Sequence, residues 1–172
     1  MEKIAEDFFD MLASLSAGRK ADALICEYVL GWHRLIDESR DVDGNQYNNP
    51  VLCRYATWGE LEKHIGAFGL PNRGKVPFTY FCPPYSTDNY DASRLMQQLR
   101  IWVKGEMNSF VGGSPWLAGN LSYYPISKSP SLELAVCKTA LITEYEKRLH
   151  KHILAATQVI PWEEIVPRPL PL

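Results

Sequence analysis

The chain has 172 residues, enough for one domain with a sizeable core or one domain with a short extension. Apolar residues make up 46% and charged residues 22%, a composition typical of soluble globular proteins. The 18 basic and 20 acidic residues give a net charge of −2, which excludes a global positive field that would attract nucleic acid or anionic membranes.

The cysteine pattern argues against metal binding and disulfide formation. The four cysteines lie far apart among apolar neighbours, and neither a Cys-x-x-Cys pair nor a zinc spacing with histidine occurs. We therefore predict reduced core thiols, no metal and no cofactor. The first seven residues are acidic and amphipathic, unlike a signal peptide, and no apolar run has the length of a membrane span. A cytoplasmic protein is expected, without a membrane or nucleic-acid partner.

Two amphipathic helices are predicted at the start of the chain. Apolar residues at steps of three and four indicate one over residues 2–16 and another over about 20–31, with Gly31 as its stop. The first helix is apolar over a wide arc, which leaves open a contact between subunits of a homo-oligomer.

A β-hairpin is predicted next, from extended segments at 32–38 and 46–55 with a turn at Asp43. A calcium loop is the alternative, because acidic and polar residues from Ser39 onward partly match EF-hand spacing. The twelfth position of that loop is Pro50 instead of glutamate, so the hairpin turn is favoured.

A capping box and a strand follow. Thr57 and Glu60 have the capping-box spacing and predict the start of a short helix. Residues 75–82 read as a strand, in which Pro77 indicates an edge position or a bulge.

The central feature of the sequence is the corner at residues 83–88. Pro83 and Pro84 end the preceding strand, and Ser86, Thr87 and Asp88 each offer an oxygen that can cap a helix over about 89–100. A helix start of this kind presents free N–H groups and a positive dipole end, which can hold an anion. The alternative is that these residues only cap the helix.

The following segment is predicted to be extended, with strands at 109–111 and 121–124 on either side of a glycine-rich loop, 112–120. Trp116, within that loop, is either a core anchor or an exposed stacking residue.

The end of the sequence combines a helix with a proline-rich tail. A long amphipathic helix is predicted from Ser129 to Ile153, and its basic residues at 147–151 are interpreted as exposed decoration. Residues 159–172 contain four prolines and are expected to be an extended or disordered tail, although the Pro-Arg-Pro-Leu-Pro-Leu run could also dock on a partner.

Three stretches, in this order, resemble the phage ABA sandwich domain family, small proteins of phages and prophages. They are Ile-Cys-Glu-Tyr-Val-Leu-Gly-Trp at 25–32, Pro-Tyr-Ser-Thr-Asp at 84–88 followed by Ala92, and Ser-Leu-Glu-Leu-Ala-Val-Cys-Lys-Thr-Ala-Leu at 131–141. The resemblance covers about residues 20–150. It implies α/β/α layering and a phage or prophage setting, and it supplies no reaction and no catalytic residue.

The expected fold is an α/β protein of the α+β type, an α/β/α sandwich with a small, mostly antiparallel or mixed sheet. One domain would span residues 1–158, including the added N-terminal helix, and the tail would span 159–172. The helix at 2–16, the segment between 39 and 75 and the tail depart from the family pattern.

No catalytic constellation is recognisable, so a non-enzymatic phage or prophage accessory protein is expected. Binding of a small nucleotide-like ligand at the corner 84–88 is the main hypothesis. The alternative is a protein–protein interaction or inhibitor module that acts through the added helix, the tail or an oligomer face. The candidate ligand-binding residues are Trp32, His33, Tyr85, Ser86, Thr87, Asp88 and Trp116.

Overall fold

The computed structural model describes residues 2–36, 43, 50–65, 76–105, 116–120, 126–154 and 165–171. Over these residues the protein has an α+β fold with two small antiparallel sheets, as the α+β prediction requires. The helices are α1 (Glu2–Ser14), α2 (Arg19–Leu24), a π-helix (Ile25–Val29), α3 (Trp58–Ile65), α4 (Asn89–Leu99) and α5 (Leu132–Leu154). The strands are β1 (His33–Ile36), β2 (Pro50–Cys53), β3 (Trp102–Gly105), β4 (Trp116–Gly119) and β5 (Ser127–Ser129).

Helix α5 is the centre of the main core. Its start is capped by Ser131, whose hydroxyl oxygen accepts a hydrogen bond from the Leu134 amide at 3.2 Å. The helix contacts the sheet of β3, β4 and β5, and it also contacts α2, the π-helix and α4. The described core is therefore organised around a helix, and the sheet-centred layering of an α/β/α sandwich stays a prediction.

Helix α1 joins this core through aromatic stacking, and the predicted first helix is confirmed. The Phe8 ring stacks on Tyr145 of α5 with a centroid distance of 4.2 Å and an interplanar angle of 11°. Phe9, the next residue, remains 49% exposed.

The second predicted helix changes its winding halfway. It is an α-helix to Leu24 and a π-helix from Ile25, where the Leu30 amide donates to the Ile25 carbonyl five residues earlier at 3.0 Å. Gly31 ends it as predicted, because its φ of +70° is costly for residues with a Cβ. The π turn carries Glu27 and Tyr28, which both border the cleft described below.

The predicted hairpin pairing is confirmed. Strands β1 and β2 are antiparallel, with His33 opposite Cys53 and Ile36 opposite Pro50. Asp43 lies in a turn, whereas 37–42 and 44–49, including most of the calcium alternative, lie outside the described residues.

The capping box at the start of α3 is also confirmed. The Glu60 amide donates to the Thr57 hydroxyl at 3.3 Å, and the Thr57 amide donates to the Glu60 carboxylate at 3.3 Å. Leu61 is buried beside Leu35 and Cys53, so α3 closes a small core over the hairpin.

The strand predicted at 75–82 is wrong over its described part, residues 76–82. This segment forms successive turns, in which the Tyr80 amide donates to the Pro77 carbonyl and the Cys82 amide donates to the Thr79 carbonyl. Phe78 and Cys82 are buried in a small apolar cluster, and the Phe78 carbonyl accepts a hydrogen bond from the Leu52 amide of β2 at 2.9 Å, whereas Tyr80 is exposed. Prolines at 77, 83 and 84 lack the N–H groups that a longer ladder needs.

The second sheet contains a strand where a loop was predicted. Residues 116–119 form β4, which pairs with β3 and β5, so the loop prediction is wrong there. Trp116 lies opposite Gly105 in the pairing of β3 with β4, its ring is in contact range of that glycine, and it packs against the main core. The core-anchor interpretation is therefore the one that holds. The strands predicted at 109–111 and 121–124 lie outside the described residues.

The C-terminal segment, residues 165–171, has neither helix nor strand, yet it packs on the rest of the chain. Ile165 is only 1% exposed, and Val166 and Leu170 pack against the main core. This part of the predicted tail is therefore ordered, and it packs against the core of the same chain. The division into a domain at 1–158 and a tail stays a prediction. Among all described helices, none has the length and apolar character that crossing a membrane requires.

Candidate functional site

The corner at 84–88 uses its hydrogen-bonding groups within the chain. The amides of Thr87 and Asp88 donate to the Pro84 carbonyl at 3.0 and 2.8 Å, and that of Tyr85 donates to Pro83. The Asp88 carboxylate caps α4 by accepting from the Asp91 amide at 3.0 Å. Asp88 is therefore a helix cap, and the amides at 85–88 are engaged within the chain. Ligand binding at this corner stays a prediction.

Ser86 is buried by a network that joins the corner to α2. Its amide and its hydroxyl both donate to Asp22 Oδ1 at 2.8 Å, and its hydroxyl oxygen accepts from the Gly18 amide at 2.8 Å. Arg19 binds the second oxygen of Asp22 at 3.3 Å. Burial raises the pKa of the Asp22 carboxyl, although the bonds from Ser86 and the charge of Arg19 oppose that shift. This network holds the two segments together and leaves Ser86 inaccessible.

The other predicted site residues fall into separate places. Trp32 and Tyr85 pack against one small apolar cluster, and burial raises the pKa of Tyr85 to about 12. Thr87 is exposed beside the cap, and Trp116 belongs to the main core. Of the seven predicted residues, Trp32 and His33 border a cleft elsewhere on the surface, whereas residues 85–88 and Trp116 do not.

This cleft, with a volume of about 1210 Å³, is the candidate functional site. Three elements form most of its described walls: the π-helix with the start of β1, the C-terminal half of α5, and the segment at 165–168. Ala56, just before α3, also borders the cleft. The lining residues are Glu27, Tyr28, Gly31, Trp32, His33, Arg34, Ala56, Glu144, Lys147, Arg148, His150, Lys151, Leu154, Ile165, Val166 and Arg168.

The C-terminal wall is fixed by two long-range hydrogen bonds. The Tyr28 hydroxyl donates to the Ile165 carbonyl, and Arg34 Nη2 donates to the Pro169 carbonyl at 2.9 Å. Burial raises the pKa of Tyr28 above its usual value, so the hydroxyl remains a donor at neutral pH. These bonds, together with the burial of Ile165, hold the segment in place as a wall.

The described lining is strongly cationic. Five arginine and lysine side chains face two carboxylates, which leaves an excess of three positive charges, and the side chains of His33 and His150 also border the cleft. The Arg34 guanidinium forms a two-point ion pair with Glu27, with distances of 2.5 and 2.7 Å. A concave site with this excess attracts anions.

Arg148 links two of the walls. Its Nε binds Glu144 at 2.8 Å, its Nη2 donates to the Tyr28 carbonyl at 2.6 Å, and its guanidinium carbon lies 4.1 Å from the centre of the Tyr28 ring. Lys147 binds the same Glu144 carboxylate at 3.3 Å. The α5 wall is thereby held against the π-helix.

Sequence reasoning assigned the basic residues of α5 to exposed decoration and missed the cleft. The spacing of Lys147 and Lys151 places them on one helix face, which is the only local signal. Arg34 and Arg168 line the same cleft as this helix face, but they are far from it in sequence, so helical periodicity could not reveal them.

Among the residues that the structure describes, no group of three histidine, cysteine, aspartate or glutamate side chains is arranged to hold a metal ion. Comparison with protein-family models, with curated proteins and with solved structures finds no match to this chain. The resemblance to the phage ABA sandwich domain family therefore stays a prediction.

Proposed function

We propose that this protein binds a small anionic, nucleotide-like ligand in the cationic cleft and does not transform it. The excess of three positive charges among the described lining residues is the observation that carries the proposal. Trp32, half-buried at the rim of the cleft, is a surface on which an aromatic base can stack. The ligand class is the one expected from the sequence, and the site moves from the corner at 84–88 to the cleft.

The chemistry of the lining supports binding over catalysis. The described lining has no serine, threonine or cysteine nucleophile, and both of its carboxylates are occupied by arginines. Catalysis requires several converging side chains that are not already engaged by other residues, whereas binding requires only complementary charge and shape. The phage or prophage role and the cytoplasmic setting rest on the resemblance and the composition, and they are proposed with the same function.

Native mass spectrometry tests the proposal directly. Gently purified protein is measured alone and after addition of a nucleotide pool, and retention of a small anionic mass is expected. Lys151→Glu should abolish retention, because it reverses one charge of the cleft. Lys63→Glu, which makes the same charge change on an exposed position of α3, should retain the ligand. A bare mass under all conditions, or equal loss in both variants, would contradict the proposal.

A protein-interaction module is the second candidate, favoured by the exposure of Phe9. Its ring is 49% exposed beside the Phe8–Tyr145 stack, so α1 presents an apolar surface next to the core. Size-exclusion chromatography with light scattering would reveal a homo-oligomer. If Phe9→Ser converts such an oligomer to a monomer while nucleotides never bind, the interaction function is the correct one.

A further inference from the structure

Two of the five cations in the cleft are neutralised within the protein. Arg34 is matched by Glu27 in a two-point ion pair, and Arg148 is matched by Glu144. Arg148 also donates to the Tyr28 carbonyl. Releasing either guanidinium would leave a partly buried carboxylate without its partner, so both arginines are held in place and are not free to bind a ligand. The net charge must therefore come from other residues.

The net positive charge is carried by Lys147, Lys151 and Arg168. Glu144 is shared by Arg148 and Lys147, so a single negative charge faces two positive ones. No ion pair among the described residues involves Lys151 or Arg168. The two lysines are four residues apart on α5 and share a face, whereas Arg168 belongs to the C-terminal segment. The unmatched charges thus border the cleft from two separate elements.

A single small anion cannot match this arrangement. A carboxylate brings one negative charge and a phosphate monoester about −1.5 to −2 at neutral pH, and both are compact. A net excess of three positive charges on two walls calls for several negative charges spread along a chain. The volume of about 1210 Å³ exceeds the roughly 300–1000 Å³ of ordinary small-molecule sites, so a nucleoside with a phosphate chain has room.

On the basis of the proposed function, we infer that the ligand of the cleft carries two or more linked phosphate groups, as nucleoside diphosphates and triphosphates do. The phosphates lie between Lys147 and Lys151 of α5 and Arg168 of the C-terminal segment. Arg168 is a specificity-determining residue in this arrangement, because it supplies the charge that a second or third phosphate contacts.

Isothermal titration calorimetry at one fixed ionic strength tests this inference. The probes are adenosine mono-, di- and triphosphate, the base-free series of phosphate, pyrophosphate and tripolyphosphate, and a short single-stranded oligonucleotide. Each added phosphate should raise the affinity about three- to tenfold, in the range of one or two partly exposed ion pairs. Lys151→Ala and Arg168→Ala should weaken triphosphate binding more than monophosphate binding. Lys63→Ala, on α3 and outside the described lining, should change neither affinity.

The outcomes separate this inference from the proposed function. If affinity is independent of phosphate number while Lys151→Ala weakens every nucleotide equally, the cleft binds nucleotides and the polyphosphate inference is wrong. If the oligonucleotide binds more tightly than tripolyphosphate with the same dependence on Arg168, the ligand is a nucleic-acid strand and the inference is also overturned. If none of the probes binds the folded protein, both the inference and the proposed function fail.

Discussion

The hydroxyl of Tyr28 in the π-helix donates a hydrogen bond to the backbone carbonyl of Ile165, 137 residues further along the chain. The same ring carries the guanidinium of Arg148 at 4.1 Å on its face. One side chain therefore contacts both other walls of the cationic cleft. Removing its hydroxyl should lower the stability of the protein and loosen the C-terminal segment.

Tyr28→Phe should lower the free energy of unfolding by about 1–2 kcal/mol, because the buried Ile165 carbonyl loses its donor. Urea denaturation measures this loss, and hydrogen exchange should accelerate in residues 165–171. Tyr90→Phe, at a position that is 72% exposed, is the matched control and should have little effect. Equal effects of the two substitutions would show that the hydrogen bond does not hold the segment.

Asp88→Ala should destabilise the protein by about 1 kcal/mol without weakening ligand binding. The carboxylate caps α4, and its loss leaves the Asp91 amide without that acceptor. Thermal unfolding and a nucleotide titration of the same sample measure both quantities. Lys151→Ala should show the reverse pattern, with weaker binding and nearly unchanged stability. A loss of binding in Asp88→Ala with normal stability would return the site to the corner at 84–88.

Asp22→Ala should be the most destabilising of these substitutions, at about 2–4 kcal/mol. It removes the acceptor of the buried Ser86 amide and hydroxyl and the partner of Arg19. Urea denaturation measures the change, with Asp10→Ala on the exposed face of α1 as the matched control. A loss as small as that of the control would mean that the network contributes nothing to stability.

The buried Asp22 should also give a pH dependence of defined sign. Burial raises its pKa in the folded state above the usual 3.8, so the folded protein binds this proton more tightly than the unfolded chain. The stabilisation from this carboxyl is complete below about pH 3.8 and is lost as pH rises through the folded-state pKa. The difference in unfolding free energy between the natural protein and Asp22→Asn should therefore decrease with rising pH above 3.8. An increase would show that the bonds from Ser86 and Arg19 outweigh the cost of burial.

Local features were readable from the sequence because they depend on neighbouring residues. The Thr57–Glu60 box, the stop at Gly31 and the helical spacing of α1, α4 and α5 each act within one or two turns of chain. The two missed assignments have non-local causes. Residues 76–82 form turns, and Phe78 and Cys82 are buried there against residues of α2, the π-helix and β2 that are distant in sequence. Strand β4 forms in a glycine-rich stretch because it pairs with β3 on one side and β5 on the other.

By itself, the sequence determined the α+β class, most helix boundaries, the hairpin pairing and the three candidate caps of α4, of which the structure selects Asp88. Only the tertiary structure decided that the basic face of α5 borders a cleft, because packing brings the other two walls, the π-helix and the segment at 165–168, next to that face. Arg148 reaches the Tyr28 carbonyl across 120 residues, and Arg168 reaches the same cleft from the C-terminal segment. Hydrophobic periodicity records which side of an element is buried, and it carries no information on which distant element covers that side or which charges then face each other.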